Sequence, residues 1–190
     1  MENGHGSTNC ASAVPEIKRE VPNILVTGTP GVGKSTLCAK LAEITEMRWL
    51  EISKIAIENG CLEEYDEVYK CPVLDEDKLM DGLEEIMRHG GNIVDYHSCE
   101  FFPERWFDAV YVLRADTATL YDRLKARGYE GKKLEDNIDC EIFQVILEEA
   151  KSSYKEGIVF EITSLTEAQL HENIEKICLW VQKWFQDHPT

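Results

Sequence analysis

Residues 23–36, Asn-Ile-Leu-Val-Thr-Gly-Thr-Pro-Gly-Val-Gly-Lys-Ser-Thr, decide the fold of this chain. Residues 24–27 are a short, mostly apolar and β-branched run, which predicts a buried strand. The run leads directly into a Gly-x-x-x-x-Gly-Lys-Ser motif at 28–35, and an amphipathic helical pattern begins at once behind it. A strand, a glycine loop and a helix in this order are the context that a phosphate-binding loop requires. The stretch therefore predicts a nucleotide-binding protein.

The residue types of the loop indicate how it would hold phosphate. Its glycines let the main-chain N–H groups around Val32 point into one concavity, and the start of the helix adds its positive dipole end. Lys34 supplies a mobile positive charge for the β- and γ-phosphates, and the Ser35 hydroxyl is placed to ligate Mg²⁺. The alternative is an ordinary glycine-rich turn, which the strand before it and the helix after it disfavour.

The composition indicates one globular domain. A length of 190 residues with 43% hydrophobic and 29% charged residues suits a single domain with a sizeable core. No apolar run approaches the roughly 20 residues of a membrane span, and no apolar segment follows the first methionine as it would in a secretory signal. Seven scattered cysteines without metal-ligand spacing are typical of reduced thiols in the cytosol or nucleus.

The formal net charge of −16 limits the classes of macromolecule that we expect the protein to bind. Such an acidic surface repels phosphate backbones, so direct, non-specific binding to DNA or RNA is not expected. Two interpretations remain open: the surface attracts a basic protein partner, or it only keeps the protein soluble.

Short apolar runs alternate with helical patterns along most of the chain. Residues 1–22 are polar and without periodicity, which predicts a disordered tail, and the domain is expected to span 23–190. Its strands are expected at 24–27, 48–52, 92–96, 108–113 and 157–162. This alternation predicts an α/β fold with three layers, in which helices cover both faces of a five-stranded parallel sheet. Ligands of such folds bind at the carboxyl ends of the strands.

Three other stretches carry structural expectations. Residues 61–74 are irregular, acidic and rich in tyrosine, and they fit a mobile flap better than a core element; Ser53 would cap a short helix before them. Residues 128–133 predict a charged loop, followed by one long helix to Tyr154. A last amphipathic helix is expected at 166–185.

Asp95 and His97 form a second chemical constellation. Asp95 ends an apolar strand and is the candidate second acidic element of a phosphate-loop enzyme, where it would hold Mg²⁺ or its water opposite Ser35. His97 would leave the strand on the same side as Asp95 if the strand persists. It could orient or deprotonate an attacking water, and the alternative is a histidine that is hydrogen-bonded in a loop.

Three arginines are candidate anion clamps, because phosphoryl transfer depends on neutralising the charge spread over the γ-phosphate oxygens. They are Arg114, Arg123 and Arg127. Arg127, in the charged loop, is the best placed, whereas Arg123 could equally form a surface ion pair. No Asn-Lys-x-Asp guanine clamp is present, so adenine is the expected base.

Several motifs are similar to those of one known family. They are Gly-Thr-Pro-Gly-Val-Gly-Lys-Ser at 28–35, Cys-Pro-Val-Leu-Asp-Glu-Asp at 71–77, Ile-Val-Asp-Tyr-His at 93–97, Phe-Phe-Pro-Glu-Arg-Trp-Phe at 101–107, Leu-Tyr-Asp-Arg-Leu at 120–124, Arg-Gly-Tyr at 127–129 and Cys-Glu-Ile-Phe-Gln at 140–144. Through them, residues 22–185 resemble the adenylate kinase isoenzyme 6 family, which is also the family of the coilin-interacting nuclear ATPase (CINAP).

The resemblance implies a P-loop NTPase fold of the adenylate kinase type, with an AMP-binding flap at about 51–74 and a short lid at about 126–136. It implies Mg²⁺-dependent transfer of the ATP γ-phosphate to AMP or another nucleoside monophosphate, and ATP hydrolysis besides. ATP would be held by Gly31, Val32, Gly33, Lys34, Ser35, Thr36 and Arg127. The catalytic set would be Lys34, Asp95, His97 and Arg127, with Ser35 and Asp95 toward Mg²⁺, directly or through water.

The resemblance also implies a cellular role. It implies a place in the nucleus and cytoplasm, in maturation of the small ribosomal subunit and its 18S rRNA, and binding to a basic ribosomal protein of that subunit. An acidic surface would suit that partner. We expect a monomer without membrane association. An alternative is an ATPase assembly factor, in which nucleotide turnover times the release of the ribosomal protein and kinase activity is incidental.

One departure from the family concerns the acceptor. Family members tend to carry a basic residue in the short flap helix, at the position where this chain has Ile57. A missing cation would weaken capture of the AMP phosphate unless Lys54 compensates. The sequence therefore supports ATP binding more firmly than it supports the acceptor half of a kinase reaction.

Overall fold

The computed structural model describes residues 19–69 and 71–189, and within them the chain forms two sheets. The strands are β1 (Ile24–Thr27), β2 (Arg48–Glu51), β3 (Leu62–Asp66), β4 (Cys71–Leu74), β5 (Asn92–Asp95), β6 (Ala109–Arg114) and β7 (Val159–Thr163). Five of them make one parallel sheet in the order β2-β5-β1-β6-β7, while β3 and β4 pair antiparallel in a separate hairpin. The predicted five-stranded parallel sheet is confirmed.

Helices cover both faces of the parallel sheet. They are α1 (Lys34–Thr45), α2 (Ile52–Glu58), α3 (Glu76–His89), α4 (Thr117–Ala126), α5 (Gly131–Ile142), α6 (Val145–Ser153) and α7 (Glu167–Asp187). The apolar faces of α1, α4 and α7 pack together on one side of the sheet, and those of α2, α3 and α6 on the other. Because β1, β5 and β6 are buried on both faces, their residues read as continuous apolar runs, as central parallel strands do.

Side-chain caps fix the start of two long helices. The Asp75 carboxylate accepts a hydrogen bond from the backbone N–H of Lys78 at the start of α3. Thr166 and Gln169 form a reciprocal capping box at the start of α7. Such caps satisfy main-chain donors that the first turn leaves unpaired, and the start of α7 agrees with the helix predicted from residue 166.

A buried asparagine network joins the beginnings of β1 and β5. The Asn23 amide donates to the carbonyls of Met87 and Trp106 at 2.7 and 3.0 Å and accepts from the Asn92 side chain at 2.8 Å. Just before it, Arg19 donates to both carboxylate oxygens of Asp108. Contacts with the folded domain therefore begin at Arg19, within the predicted tail of residues 1–22. Residues 1–18 of that tail lie outside the described part of the chain.

The structure differs from the sequence-based expectation in four places. Residues 131–133, expected in a charged loop, form the first turn of α5. Residues 61–74 are not irregular but contain the β3–β4 hairpin, whose strands are largely exposed. The long helix expected before Tyr154 is two helices, because Gln144 adopts a left-handed φ of 58° between α5 and α6. Ser53 lies inside α2, which begins at Ile52 without a side-chain cap.

None of the helices within residues 19–69 and 71–189 combines the length and the apolar run that a bilayer crossing requires. The six cysteines in these residues all carry free thiols, in agreement with the prediction of reduced cysteines, and Cys10 lies outside the described part.

Candidate active site

A cleft of about 510 Å³ opens at the carboxyl ends of β1, β5 and β2. The loop after β1 forms its floor, the lid (residues 126–136) one wall, and the flap (residues 51–74) the other. Its lining residues are Pro30, Gly31, Gly33, Lys34, Ser35, Thr36, Glu51, Ser53, Tyr69, Cys71, Asp95, Tyr96, His97, Arg127, Tyr129, Lys133 and Asn137. The cleft thus brings together all the predicted ATP-binding and catalytic residues except Val32, which is fully buried.

Two glycines give the loop its curl. Gly28 has a φ of 138°, and a side chain there would collide with the carbonyl oxygen of Leu113 on the neighbouring strand. Gly33 has a φ of 107° and immediately precedes α1, whose first turn has no side-chain cap. The main-chain N–H groups of that turn are left for a ligand, which is the arrangement that binds phosphate at helix starts.

Lys34 is held inside the loop that it terminates. Its ammonium is buried and donates to the carbonyl oxygens of Gly28 and Thr29 at 2.7 and 3.2 Å. Burial lowers the pKa of Lys34 to about 8, and the nearby Asp95 carboxylate opposes this shift while the Arg127 charge adds to it. The ammonium is therefore charged at neutral pH but poorly solvated, and it would gain from an anionic ligand.

Asp95 ends β5 with a carboxylate that points into the cleft. Burial raises its pKa, and the Ser35 hydroxyl and the Lys34 ammonium oppose the shift. Its Oδ2 atom is buried and has no hydrogen-bond partner among the residues that the structure describes. An unpaired buried carboxylate oxygen is costly, so this atom is suited to a cation or an ordered water.

Ser35 and Asp95 together fit Mg²⁺, which prefers oxygen ligands and is commonly held by one or two protein groups, substrate phosphates and waters. Within the described ranges, no group of three or more His, Cys, Asp or Glu side chains converges as a metal site. The predicted pair is accordingly the donor set that this cleft offers to a nucleotide-bound metal.

His97 lines the same cleft, although β5 ends before it at Asp95. Loss of solvent between the cleft walls and the positive charge of Lys34 lower the pKa of His97, although the residue remains partly open to the cleft. The imidazole is therefore neutral at neutral pH, and a neutral ring nitrogen can accept a proton or a hydrogen bond from water.

Arg114 is not an anion clamp, contrary to the sequence-based hypothesis. Its guanidinium pairs with the Glu141 carboxylate at 2.5 Å and with Glu161 at 3.2 Å. Glu141 is buried and also accepts from the Thr29 hydroxyl of the phosphate loop at 2.6 Å. Glu141 lies in the family-like motif at 140–144, but no local pattern identified it as a partner of Arg114 and Thr29, because these residues are 27 and 112 positions away.

Arg123 and Arg127 have separate positions. The Arg123 guanidinium lies 3.3–3.4 Å from four carbonyl oxygens, two in the phosphate loop and two at 164–165, so it supports the loop and is not in a surface ion pair. Arg127 follows α4 and lines the cleft beside Lys34, as the sequence predicted for the lid arginine. Of the three candidates, Arg127 is the one that faces a ligand.

Flap and lid touch above the cleft. The Tyr69 hydroxyl, at the turn of the flap hairpin, donates to the Asp136 carboxylate at 2.8 Å. The Lys132 ammonium lies 5.7 Å from the centre of the Tyr69 ring. These exposed contacts bridge the two walls, so the cleft can be covered without any change in the sheet beneath it.

Known proteins place this arrangement in a structural class. Residues 24–144 match the family model described as "AAA domain". A shikimate kinase from Acinetobacter baumannii in complex with shikimate aligns with a TM-score of 0.58 at 14% identity, over 86% of this chain and 94% of the kinase. A gluconokinase from Sinorhizobium meliloti 1021 aligns with a TM-score of 0.56 at 18% identity, over 90% and 99%. The chain has the P-loop NTPase fold of small kinases.

Closer relatives share most of the chain. It is 56% identical over 170 residues to an "Adenylate kinase isoenzyme 6 homolog" from Drosophila melanogaster, covering 90% of this chain and 95% of that protein. It is 50% identical over 178 residues to the homolog from Caenorhabditis elegans, covering 93% and 97%. This chain belongs to the adenylate kinase isoenzyme 6 family, as its motifs indicated, and a nucleotide kinase or ATPase role follows from that membership.

We expect the Glu141 carboxylate to stabilise the fold around the loop. Glu141→Ala leaves the largely buried Arg114 with one exposed partner and should lower the free energy of unfolding by about 3 kcal/mol. Glu161→Ala removes the exposed partner of the same arginine and should cost less than about 1 kcal/mol. Urea unfolding of both variants measures the difference, and equal losses would show that burial of the Arg114–Glu141 pair is unimportant.

Nucleotide binding should take up protons near pH 8. The free Lys34 ammonium is partly deprotonated there because its pKa is about 8, and anionic phosphates would raise that pKa on binding. Calorimetry of MgATP binding at pH 8, in two buffers of different ionisation enthalpy, should therefore give different apparent enthalpies. The difference should vanish at about pH 6, where Lys34 is already protonated. Buffer-independent enthalpies at both pH values would contradict this assignment.

Proposed function

We propose that this protein transfers the γ-phosphate of ATP to AMP or another nucleoside monophosphate, with Mg²⁺, and that it also hydrolyses ATP. The observation that carries the proposal is the buried Lys34 ammonium, which faces Asp95 across one cleft on the phosphate loop. Membership of the adenylate kinase isoenzyme 6 family supports a nucleotide substrate.

Residues of this chain would position the triphosphate and neutralise its negative charge. The main-chain N–H groups of the loop and the first turn of α1 hold the triphosphate, and Lys34 moves from loop carbonyls to phosphate oxygens. Arg127 approaches from the lid and neutralises charge that spreads over the transferred group. In the transfer, an acceptor oxygen bonds to the γ-phosphorus as the bond to the bridging oxygen breaks and ADP leaves.

Mg²⁺ would be held by Ser35 and Asp95, directly or through water, and when bound it supplies charge neutralisation for the phosphate oxygens. The raised pKa and the Oδ2 atom of Asp95 support this assignment, because the carboxylate is buried and this oxygen has no hydrogen-bond partner among the described residues.

Hydrolysis uses the same cleft with water as the acceptor. His97 has a neutral ring at neutral pH and lines the cleft together with Asp95. A neutral imidazole at that position can orient a water or take its proton as the water attacks the phosphorus. Transfer to a monophosphate does not need a water to be activated, so the two activities differ in their need for His97.

We also propose a cellular role in maturation of the small ribosomal subunit and its 18S rRNA, in the nucleus and cytoplasm. The resemblance to the coilin-interacting nuclear ATPase motivates it, and a net charge of −16 suits a basic small-subunit ribosomal protein as partner. In the alternative function, ATP hydrolysis times release of that protein, and kinase turnover is incidental. Pull-down with the purified ribosomal protein, with and without ATP, tests that alternative.

Lys34→Ala should abolish both activities, with a loss of about a hundredfold or more in turnover because a preorganised charge on the phosphates is removed. Lys40→Ala is the matched control, since Lys40 lies exposed on the same helix and pairs with Glu167. Turnover is measured as ADP released from MgATP with and without AMP. Near-normal turnover of the Lys34 variant would refute the proposed site.

His97→Ala should lower ATP hydrolysis about a hundredfold, the usual contribution of a general base, and should lower AMP phosphorylation much less. His89→Ala, on an exposed histidine at the end of α3, is the control. Product stoichiometry separates the reactions: transfer gives two ADP per ATP consumed, whereas hydrolysis gives one ADP and one phosphate. Equal losses in both reactions would remove His97 from a water-specific role.

A further inference from the structure

The two walls of the cleft carry opposite charges. The cations that line it, Lys34, Arg127 and Lys133, belong to the phosphate loop and the lid. On the flap side the charged lining residue in the described part of the chain is an acid, Glu51. An acceptor that carries a phosphate dianion therefore approaches a wall that bears a negative charge.

Glu51 is placed by the sheet itself. It is the last residue of β2 and aligns in register with Asp95 on β5, so both side chains leave neighbouring parallel strands on the same face. Its carboxylate also contributes to the raised pKa of Asp95, after burial, which places its charge within electrostatic reach of the catalytic centre. The side chain is 24% exposed and therefore keeps access to the cleft.

Glu51 also engages the nearest cation of the flap. The Lys54 ammonium lies 3.0 Å from Glu51 Oε1, 67% of its side chain is exposed, and it does not line the cleft. Lys54 is the one basic residue of α2, and Ile57, a turn further on, presents an exposed apolar side chain. The positive charge of α2 is therefore already paired with Glu51 and is not available to an acceptor phosphate.

The geometry of phosphoryl transfer makes this wall the acceptor side. The attacking and leaving oxygens lie roughly in line through the phosphorus. Because the phosphate loop and lid hold the leaving ADP, the attacking oxygen has to arrive from the opposite direction, where Glu51 and Ser53 line the cleft.

We propose that Glu51 is a specificity-determining residue that disfavours anionic acceptors, both by its own charge and by holding Lys54 away from the cleft. This inference rests on the proposed function and refines it. Water carries no charge and is not repelled by the Glu51 carboxylate, so hydrolysis is favoured over phosphorylation of a monophosphate in this chain.

The test is Glu51→Gln, which keeps the shape of the side chain and removes its charge. We expect Kd and KM for AMP to fall by about tenfold, a modest effect for one unit charge near a phosphate, and hydrolysis without AMP to change less than that. Glu58→Gln, at the exposed end of the same helix, is the control for a general change in surface charge. Binding of AMP is measured by calorimetry, and KM by ADP formation.

A second variant separates the two causes. If release of Lys54 contributes, Glu51→Gln combined with Lys54→Met should lose part of the gain in AMP affinity, whereas direct repulsion alone predicts that the gain is kept. Loss of part of the gain supports both causes, whereas a gain that is kept supports repulsion by Glu51 and overturns the part assigned to Lys54. Unchanged Kd and KM for AMP in Glu51→Gln, or a gain of equal size in Glu58→Gln, would overturn it.

Two further outcomes keep this inference distinct from the proposed function. A loss of hydrolysis and of Mg²⁺ dependence in Glu51→Gln would assign Glu51 to the metal beside Asp95 and would overturn the specificity role. If the unmodified protein bound no MgATP, the proposed function would fail; if it bound and hydrolysed MgATP while Glu51→Gln left AMP binding unchanged, only the present inference would fail.

Discussion

The Lys34 ammonium, held by the carbonyl oxygens of Gly28 and Thr29, is the interaction on which the site depends. A buried ammonium is poorly solvated, as its lowered pKa shows, and the loop compensates with two neutral acceptors and the nearby charge of Asp95. These partners are weaker than phosphate oxygens, since hydrogen bonds between two charged groups are the strong ones. The loop therefore holds its cation ready for an anion, and it can do so only because a glycine at position 28 lets β1 turn beside Leu113.

Distant elements keep this loop in shape. The buried Glu141 carboxylate on α5 joins Thr29 of the loop to Arg114 at the end of β6, and Arg123 on α4 reaches loop carbonyls from another side. Since α5 begins in the lid, the helix that carries Glu141 runs from the cover of the cleft to its floor. The start of the lid-side helix and the side chain that contacts the phosphate loop therefore belong to one element.

Local patterns in the sequence predicted the parts of the molecule that local forces determine. The strand, loop and helix at 23–36, the acid at the end of β5 and the start of the last helix all follow from residues a few positions apart. Ion pairs between residues far apart in the sequence could not be predicted. Arg114 was a candidate anion clamp in the sequence, but in the structure its guanidinium pairs with Glu141. The β3–β4 hairpin was missed because its strands are mostly exposed and lack strict alternation, and the break between α5 and α6 because glutamine gives no signal for a left-handed residue.

Under the proposed function, the same cleft would exclude water for transfer and admit it for hydrolysis, and the charges of its walls would bear on which reaction is favoured. Closure through Tyr69 and Asp136 is built from exposed contacts, which are individually weak and compete with solvent. A monophosphate would strengthen closure only if the flap bound its phosphate group. That binding is limited, because the flap side of the cleft is acidic and Lys54 is already paired with Glu51. The residues that would bind the donor nucleotide thus offer positive charge to its phosphates, whereas those on the acceptor side offer little. The balance between kinase and ATPase activity should therefore depend on the flap rather than on the phosphate loop.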